Sequence, residues 1–157
     1  MKYTNEYTIK EAYRYLQNAK ETLSKSPIEY ERYTDRKYVR EAAGIAYLAA
    51  YVAIDSYLSQ KGVFPTKKLP KSIDGYWELI RQYIPLNGKL YAALNIIFEN
   101  LHVDAYYRGQ TNVALVKAGF ENVKKIIIMI EELHQKNEPF SVLQEATVKY
   151  RKKKNND

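Results

Sequence analysis

The sequence predicts an all-α domain, a water-soluble up-and-down helical bundle of four to five main helices with a short C-terminal helix. Apolar residues recur with the three- and four-residue spacing of amphipathic helices, and no useful stretch alternates with the period of a strand. An uncharged run of thirteen residues, 42–54, lies inside one helical segment. The length of 157 residues fits one domain with a core of its own.

The uncharged run 42–54 predicts the central helix of this bundle. A helix that is apolar all round has to be covered on several sides. A bilayer requires roughly 20 such residues, and Arg40, Glu41 and Asp55 bound this run too closely. We therefore expect a buried core helix and no membrane-spanning segment.

Capping signals bound the first two helices. Thr8 and Glu11 have the spacing of a capping box, in which two side chains satisfy unpaired amides at a helix start. A polar connector then leads to Asp35, the expected N-cap of the long second helix. This helix should run to about Lys61, with Gly62 in the left-handed position that ends many helices.

The third and fourth helices are separated by turn residues. Residues 63–71 contain two prolines and predict a loop, after which Ser72 can cap a short helix that stops at Pro85. A fourth helix is predicted near 89–107, and Gly109 should terminate it. No element of this region has the pattern of a strand.

A fifth helix should start at Thr111 or Asn112 and break at Glu138-Pro139. A short last helix through about Tyr150 completes a domain predicted to span residues 1–150. The basic residues 151–157 then form a flexible tail.

The net charge of +7 is concentrated in two segments. Residues 61–71 carry four lysines and no acid, and residues 149–157 contribute a further net +4, so the rest of the chain is close to neutral. A broad phosphate-binding face is not indicated. The tail could bind nucleic acid, but such an end is more often simply solvated, which we favour.

The absence of cysteine excludes disulfides and thiolate metal sites, and it agrees with a reducing compartment. The first residues lack the apolar core of a signal peptide. We expect a cytoplasmic protein with no cofactor, no metal site and no membrane association.

Three segments carry a resemblance to a known superfamily. Residues 40–51 are similar to an alanine- and tyrosine-rich second helix, 105–109 lie where a short signature precedes the last long helix, and 116–133 are similar to that last helix. Together they span about residues 8–136. On these segments the chain resembles the HEPN superfamily of helical bundles.

The HEPN resemblance implies binding rather than catalysis. Many HEPN proteins are ribonucleases with an arginine followed after four to six residues by a histidine, but neither His102 nor His134 has an arginine at that distance before it. Other members bind nucleotides or partner proteins. The resemblance therefore implies a non-catalytic module, with a nucleotidyltransferase-like or toxin/antitoxin-like companion as a possible partner.

The end of the fourth helix carries most of the candidate binding residues, His102, Asp104, Tyr106, Tyr107 and Arg108. In one alternative the protein is a divergent RNA- or nucleotide-processing enzyme, with His102 in proton transfer and Arg108 on a phosphate. In the other, which we favour, Asp104 and Arg108 form a surface ion pair worth about 0.3–0.5 kcal/mol and His102 is solvated.

Tyr47, Tyr51 and Asp55 form a second candidate group, spaced one turn apart on helix two. If Asp55 is buried, it must be protonated or hydrogen-bonded, and a tyrosine hydroxyl can serve. This group is either a structural polar network, which we favour, or the floor of a pocket. Five of the sixteen tyrosines lie among apolar neighbours, which favours core packing over base stacking; they are Tyr13, Tyr47, Tyr51, Tyr57 and Tyr83.

The sequence thus predicts a non-catalytic binding or interaction module. We also expect a homodimer through helix faces rich in alanine and tyrosine, because a small bundle does not always cover an all-round apolar helix.

Overall fold

The computed structural model describes residues 7–64, 69–85 and 87–154, and for residues 137–154 it gives the helical backbone alone. The prediction of a predominantly helical chain is confirmed within these residues. Part of the predicted loop 63–71 and the last residues of the predicted tail, 155–157, lie outside them. The elements in chain order are α1 (Ile9–Ser24), β1 (Ile28–Glu29), β2 (Arg32–Tyr33), α2 (Arg36–Gln60), α3 (Ile73–Tyr83), α4 (Gly88–Ile97), a π-helix (Phe98–Tyr107) and α5 (Val113–Lys154).

The predicted caps of α1 and α2 are present. Thr8 Oγ1 accepts a hydrogen bond from the Glu11 amide at 3.1 Å, while the Glu11 carboxylate pairs with Arg14, so one half of the capping box forms. The Asp35 carboxylate accepts from the Lys37 amide at 3.1 Å. Gly62 follows α2 with φ +77°, the left-handed conformation that the sequence predicts there.

Helix α2 is the centre of the bundle, as the uncharged run predicts. It packs against α1, α5 and the π-helix, and six of its alanines are fully buried. The small side chains allow three helices to approach one helix, and larger apolar residues on those neighbours fill the remaining space. The buried alanines of α2 are Ala42, Ala43, Ala46, Ala49, Ala50 and Ala53.

By length and composition alone, helix α2 could cross a membrane. The expectation that no segment is long enough to do so, which came from residues 42–54, is therefore wrong. The qualifying window belongs to the 25-residue helix Arg36–Gln60, and 72% of it is buried inside the protein. Such burial is typical of a core helix.

A short hairpin between α1 and α2 corrects the prediction that the chain has no strands. Tyr30 and Glu31 join β1 to β2 with φ values of 50° and 63°, the backbone of a type I′ turn. Such turns are usually recognised by Asn-Gly or Gly-Gly, and this one has neither. Hydrogen bonds from Tyr33 N to Thr111 O (2.9 Å) and from Val113 N to Glu31 O (3.0 Å) hold it against the start of α5.

The predicted fourth helix changes type halfway. After Ile97 the backbone continues as a π-helix to Tyr107, a conformation rare in proteins and frequent at functional sites. Side-chain spacing alone did not distinguish it from an α-helix. The side-chain amide of Asn100 donates a hydrogen bond from Nδ2 to the Leu115 carbonyl at 3.0 Å, which ties the π-helix to α5.

Helix α5 starts where the sequence predicts but runs further. Asn112 Oδ1 accepts from the Leu115 amide at 3.0 Å, as expected of an N-cap. The predicted break at 138–139 is wrong, because the helix continues to Lys154 and includes residues 151–154 of the predicted flexible tail. Proline removes one helical hydrogen bond and biases the chain towards a break without compelling one.

Candidate functional site

The candidate site is a cavity of about 630 Å³ that α1, α2, α3 and the π-helix enclose. Its volume lies within the usual range for small-molecule sites. We call it the tyrosine cavity. The residues that carry its chemistry are Tyr47, Tyr51, Asp55, Tyr76, Phe98 and His102.

A stack of rings along the π-helix forms one wall of the tyrosine cavity. His102 stacks on Tyr47 with ring centroids 4.7 Å apart, and it lies 5.4 Å from the Phe98 ring and 6.0 Å from the Tyr106 ring. Phe98, His102 and Tyr106 follow one another at four-residue spacing, so their rings form one column. The column holds His102 half-buried, in contrast to the solvated histidine that the sequence favours.

Three tyrosines continue this lining from His102 towards α3. The Tyr51 ring stacks on the Tyr76 ring at 4.1 Å, and the hydroxyls of Tyr47 and Tyr51 are hydrogen-bonded to each other. Burial raises the pKa of all three phenols, and the nearby Asp55 raises that of Tyr76 further. All three hydroxyls therefore stay protonated at neutral pH and present neutral donors and acceptors.

Asp55 lies at the floor of the tyrosine cavity and is 4% exposed. Tyr76 Oη donates a hydrogen bond to its Oδ2 at 3.1 Å, whereas Oδ1 is buried without a hydrogen-bond partner in the described part of the chain. Desolvation raises the pKa of Asp55 to about 7, although the Tyr76 hydrogen bond acts in the opposite direction. Both protonation states are thus populated near neutral pH.

Lys71 and Ser72 lie at the rim of the same cavity. Ser72 is the N-cap residue of α3, and its side chain makes no capping hydrogen bond. The amides at a helix start carry partial positive charge and bind anions. The rim therefore places a lysine and a helix N-terminus next to an aromatic cavity.

The structure brings together only part of the predicted site. Tyr47, Tyr51, Asp55 and His102 all line the tyrosine cavity, and Tyr106, outside the lining, has its ring 6.0 Å from that of His102. The remaining three residues are not among its lining. Asp104 and Arg108 form an ion pair at 3.7 Å with the Arg108 side chain 70% exposed, and Tyr107 is 76% exposed.

Sequence reasoning missed Tyr76, Phe98, Lys71 and Ser72. The four-residue spacing of Phe98 and His102 was a usable signal for Phe98. Tyr76 was one tyrosine among sixteen, and only the packing of α3 against α2 places it beside Asp55.

Comparison with known proteins identifies the domain. Residues 7–132 match the family described as a domain of unknown function, DUF5618. The chain belongs to the DUF5618 family. A solved structure described as a protein of unknown function from Dyadobacter fermentans is similar, with 33% sequence identity and a TM-score of 0.68 over 79% of this chain and 94% of that chain. No curated protein matched the chain.

The DUF5618 region contains every residue of the tyrosine cavity discussed above. It also contains the hairpin and the π-helix in full. The candidate site is therefore part of the family domain and does not depend on the terminal segments.

Proposed function

We propose that this DUF5618 protein is a non-catalytic binding module that takes a nucleotide in the tyrosine cavity. The observation that carries the proposal is Asp55, a buried carboxyl group with one unpaired oxygen at the floor of an aromatic cavity. A ligand with a planar ring and N–H donors would use both features.

The aromatic walls favour a planar base. Base stacking on an aromatic side chain contributes about 1–3 kcal/mol and tolerates any base, because every base has a π-face. The rings of His102, Tyr47, Tyr51 and Tyr76, each in contact with the next, line the cavity and supply such surfaces. An aliphatic ligand could not stack on these aromatic rings.

The floor favours a hydrogen-bond donor. A buried acceptor without a partner costs roughly 1–3 kcal/mol, and a base N–H that reaches Asp55 Oδ1 would recover it. Oδ1 is covered, so the ligand has to displace a neighbouring side chain to make this bond. The bond then forms in a low-dielectric environment, where it is strong.

The rim favours a phosphate. The Lys71 ammonium and the N-terminus of α3 at Ser72 are both suited to an anion. A base at the floor with a phosphate at the rim describes a mononucleotide, whose size fits a cavity of about 630 Å³.

The enzymatic alternative has less support. It requires His102 and Arg108 on one concave surface, but His102 lines the tyrosine cavity while Arg108 pairs with Asp104 and extends into solvent. His102 is held by ring stacking, which suits a binding wall. We therefore retain RNA or nucleotide processing as the second candidate.

We also propose that the chain is a divergent, HEPN-like helical bundle. The alanine-rich second helix at the centre of the bundle and the long last helix support it. Under this proposal the protein is cytoplasmic and works with a nucleotidyltransferase-like or toxin/antitoxin-like companion, and its basic C-terminal residues contribute little to binding.

We further propose a homodimer, but through another surface than the sequence indicates. Helix α2 is largely covered within one chain, with Leu48 exposed at 51%. Exposed hydrophobic residues on α4 and α5, Ile96 at 38% and Ile128 at 37%, offer an alternative face. They line one groove together with Met129.

Calorimetric titration with AMP, GMP, CMP and UMP tests the proposed function. We expect at least one to bind the full-length protein, and the His102→Ala variant to lose tenfold or more in affinity. The matched control is Tyr107→Ala, which removes an aromatic ring outside the cavity and should bind as the wild type does. Absence of binding by all four at millimolar concentration would refute the proposal, and turnover of a bound nucleotide would favour the enzyme.

A further inference from the structure

We infer that the base held at Asp55 is guanine. This inference rests on the proposed function and adds the identity of the ligand. It follows from the hydrogen-bonding capacity of the floor, and the walls and rim have no part in it.

The floor of the tyrosine cavity offers acceptors when Asp55 is ionised. An ionised carboxylate accepts hydrogen bonds and donates none. Tyr76 already donates to Oδ2 at 3.1 Å, and Oδ1 is left for the ligand. Oδ2 keeps a second lone pair, so a base that meets both carboxylate oxygens should present two adjacent donors.

Guanine meets this condition best among the common bases. Its N1–H and N2–H₂ groups are adjacent donors on one edge. In adenine and cytosine the exocyclic amine is next to a ring-nitrogen acceptor, and in uracil N3–H lies between two carbonyls. Those bases would place an acceptor against the carboxylate, and an unpaired buried acceptor is unfavourable.

The charge of Asp55 determines which base the cavity prefers. Tyr51 and Tyr76 adjoin it and stay neutral, because burial raises the pKa of both phenols. The other titratable or charged groups lining the same cavity are Tyr7, Tyr15, Tyr47, Lys71 and His102. When Asp55 is protonated it gains an O–H donor, and a donor next to an acceptor matches adenine.

The pKa of about 7 at Asp55 then gives a pH dependence with a definite sign. Roughly a tenth of the carboxyl groups are ionised one unit below the pKa and nine tenths one unit above it. Guanine binding that requires the ionised form should strengthen about tenfold between pH 6 and pH 8. Adenine binding that requires the protonated form should weaken over the same interval.

The test is calorimetric titration of the full-length protein with GMP, IMP and AMP at pH 6 and pH 8. IMP lacks the 2-amino group, so it should bind more weakly than GMP and more tightly than AMP at pH 8. We expect GMP to bind at least tenfold more tightly than AMP at pH 8. The nucleotide phosphate also titrates in this interval, with a pKa of about 6, but it is common to all three ligands and cancels in the GMP-to-AMP affinity ratio. The Asp55→Asn variant, nearly isosteric but without the titrating carboxyl group, should lose the pH dependence of this ratio.

The outcomes separate this inference from the function on which it rests. AMP binding as tightly as GMP at pH 8 would overturn guanine selectivity, and a GMP-to-AMP affinity ratio equal at both pH values would overturn its control by the charge of Asp55. Either result leaves nucleotide binding standing. Binding of none of the three would refute both. The GMP-to-AMP affinity ratio of the wild type at the two pH values decides the question even if Asp55→Asn fails to fold.

Discussion

Asp55 shows how one residue couples stability to the proposed function. The residue is 4% exposed, and its carboxyl group has one hydrogen bond for two oxygens. Burial of an incompletely paired carboxylate destabilises the folded state whenever the group is ionised. A bound donor would relieve this penalty, so a site that is unfavourable for folding is favourable for binding.

The pKa of Asp55 predicts that stability falls as pH rises. The folded protein keeps the proton up to a pKa of about 7, whereas the unfolded chain releases it near 3.8. The folded state therefore binds more protons between these values, and the free energy of unfolding decreases with pH across that window. Asp55→Asn removes this contribution, so we expect its stability relative to wild type to be higher at pH 8 than at pH 5, by on the order of a few kcal/mol.

Urea denaturation of both proteins at pH 5 and pH 8 measures this difference. Parallel stability curves for wild type and Asp55→Asn would show that the carboxyl group titrates alike in the folded and unfolded states.

The hydroxyl of Tyr76 should stabilise the ionised form of Asp55. Tyr76→Phe removes the hydrogen bond to Asp55 Oδ2 and leaves a buried carboxylate without it. Because this bond lowers the pKa of Asp55, the variant should raise that pKa further. We expect a destabilisation of about 1–3 kcal/mol at pH 8 and a smaller one at pH 5.

Carbon-13 NMR titration of the aspartate carboxyl signals reports the pKa of Asp55 in the Tyr76→Phe variant. Tyr107→Phe, in an exposed residue, is the matched control. A pKa that does not change in Tyr76→Phe would mean that the hydroxyl does not bind the carboxylate in solution.

At the scale of the elements, the π-helix decides the form of the site. It places Phe98 and Tyr106 on either side of His102 in a single column. Its other face packs closely against α5, where Gly119 lies opposite Leu101. A rare backbone conformation that is tied to a neighbouring helix on one face can hold a rigid aromatic wall on the other.

Gly119 allows this close approach. A Cβ at Gly119 would lie 2.4 Å from Leu101 Cδ2 and 2.6 Å from Leu101 Cγ, and Leu101 is fully buried. We expect Gly119→Ala to destabilise the protein by about 1–3 kcal/mol despite the better helix propensity of alanine.

Thermal or urea denaturation measures the effect of Gly119→Ala. The control is Gly88→Ala in the first turn of α4, where a Cβ would meet nothing within 4 Å, so this variant should be neutral or slightly stabilising. Equal stability of the two variants would contradict the close contact between α5 and the π-helix.

At the scale of the whole molecule, the exposed apolar surface of α4 and α5 is where we expect two copies of the chain to associate. Because α2 is covered within one chain, the exposed Ile96 and Ile128 on α4 and α5 are the surface that we propose for a dimer. We expect the wild type to be a dimer by light scattering at micromolar concentration. The Ile96→Lys, Ile128→Lys double variant should be a monomer with its fold retained.

A Leu48→Lys variant is the matched control, since it places the same charge on the exposed side of α2. If the Leu48→Lys variant were a monomer while the double variant remained a dimer, the dimer interface would lie on α2. A wild type that is already monomeric would refute the dimer.

Much of the bundle could be predicted because it depends on neighbours in sequence. The caps at Thr8, Asp35 and Asn112 and the left-handed Gly62 are local features with local physical causes. The burial of α2 followed from its lack of charge. The hairpin, by contrast, has no turn signal of its own and depends on contacts with residues more than seventy positions away.

By itself the sequence determined that the chain is helical, where most helices begin, and that α2 is the core, because propensity, capping and hydrophobicity act over a few residues. Only the tertiary structure decided that the Tyr76 hydroxyl bonds to Asp55, that the His102 ring stacks on Tyr47, and that Arg108 stays exposed outside the cavity lining. These relations depend on how three helices pack, and packing is set by the shapes of side chains that are distant in sequence. The cavity is therefore a property of the folded chain that no local pattern could indicate.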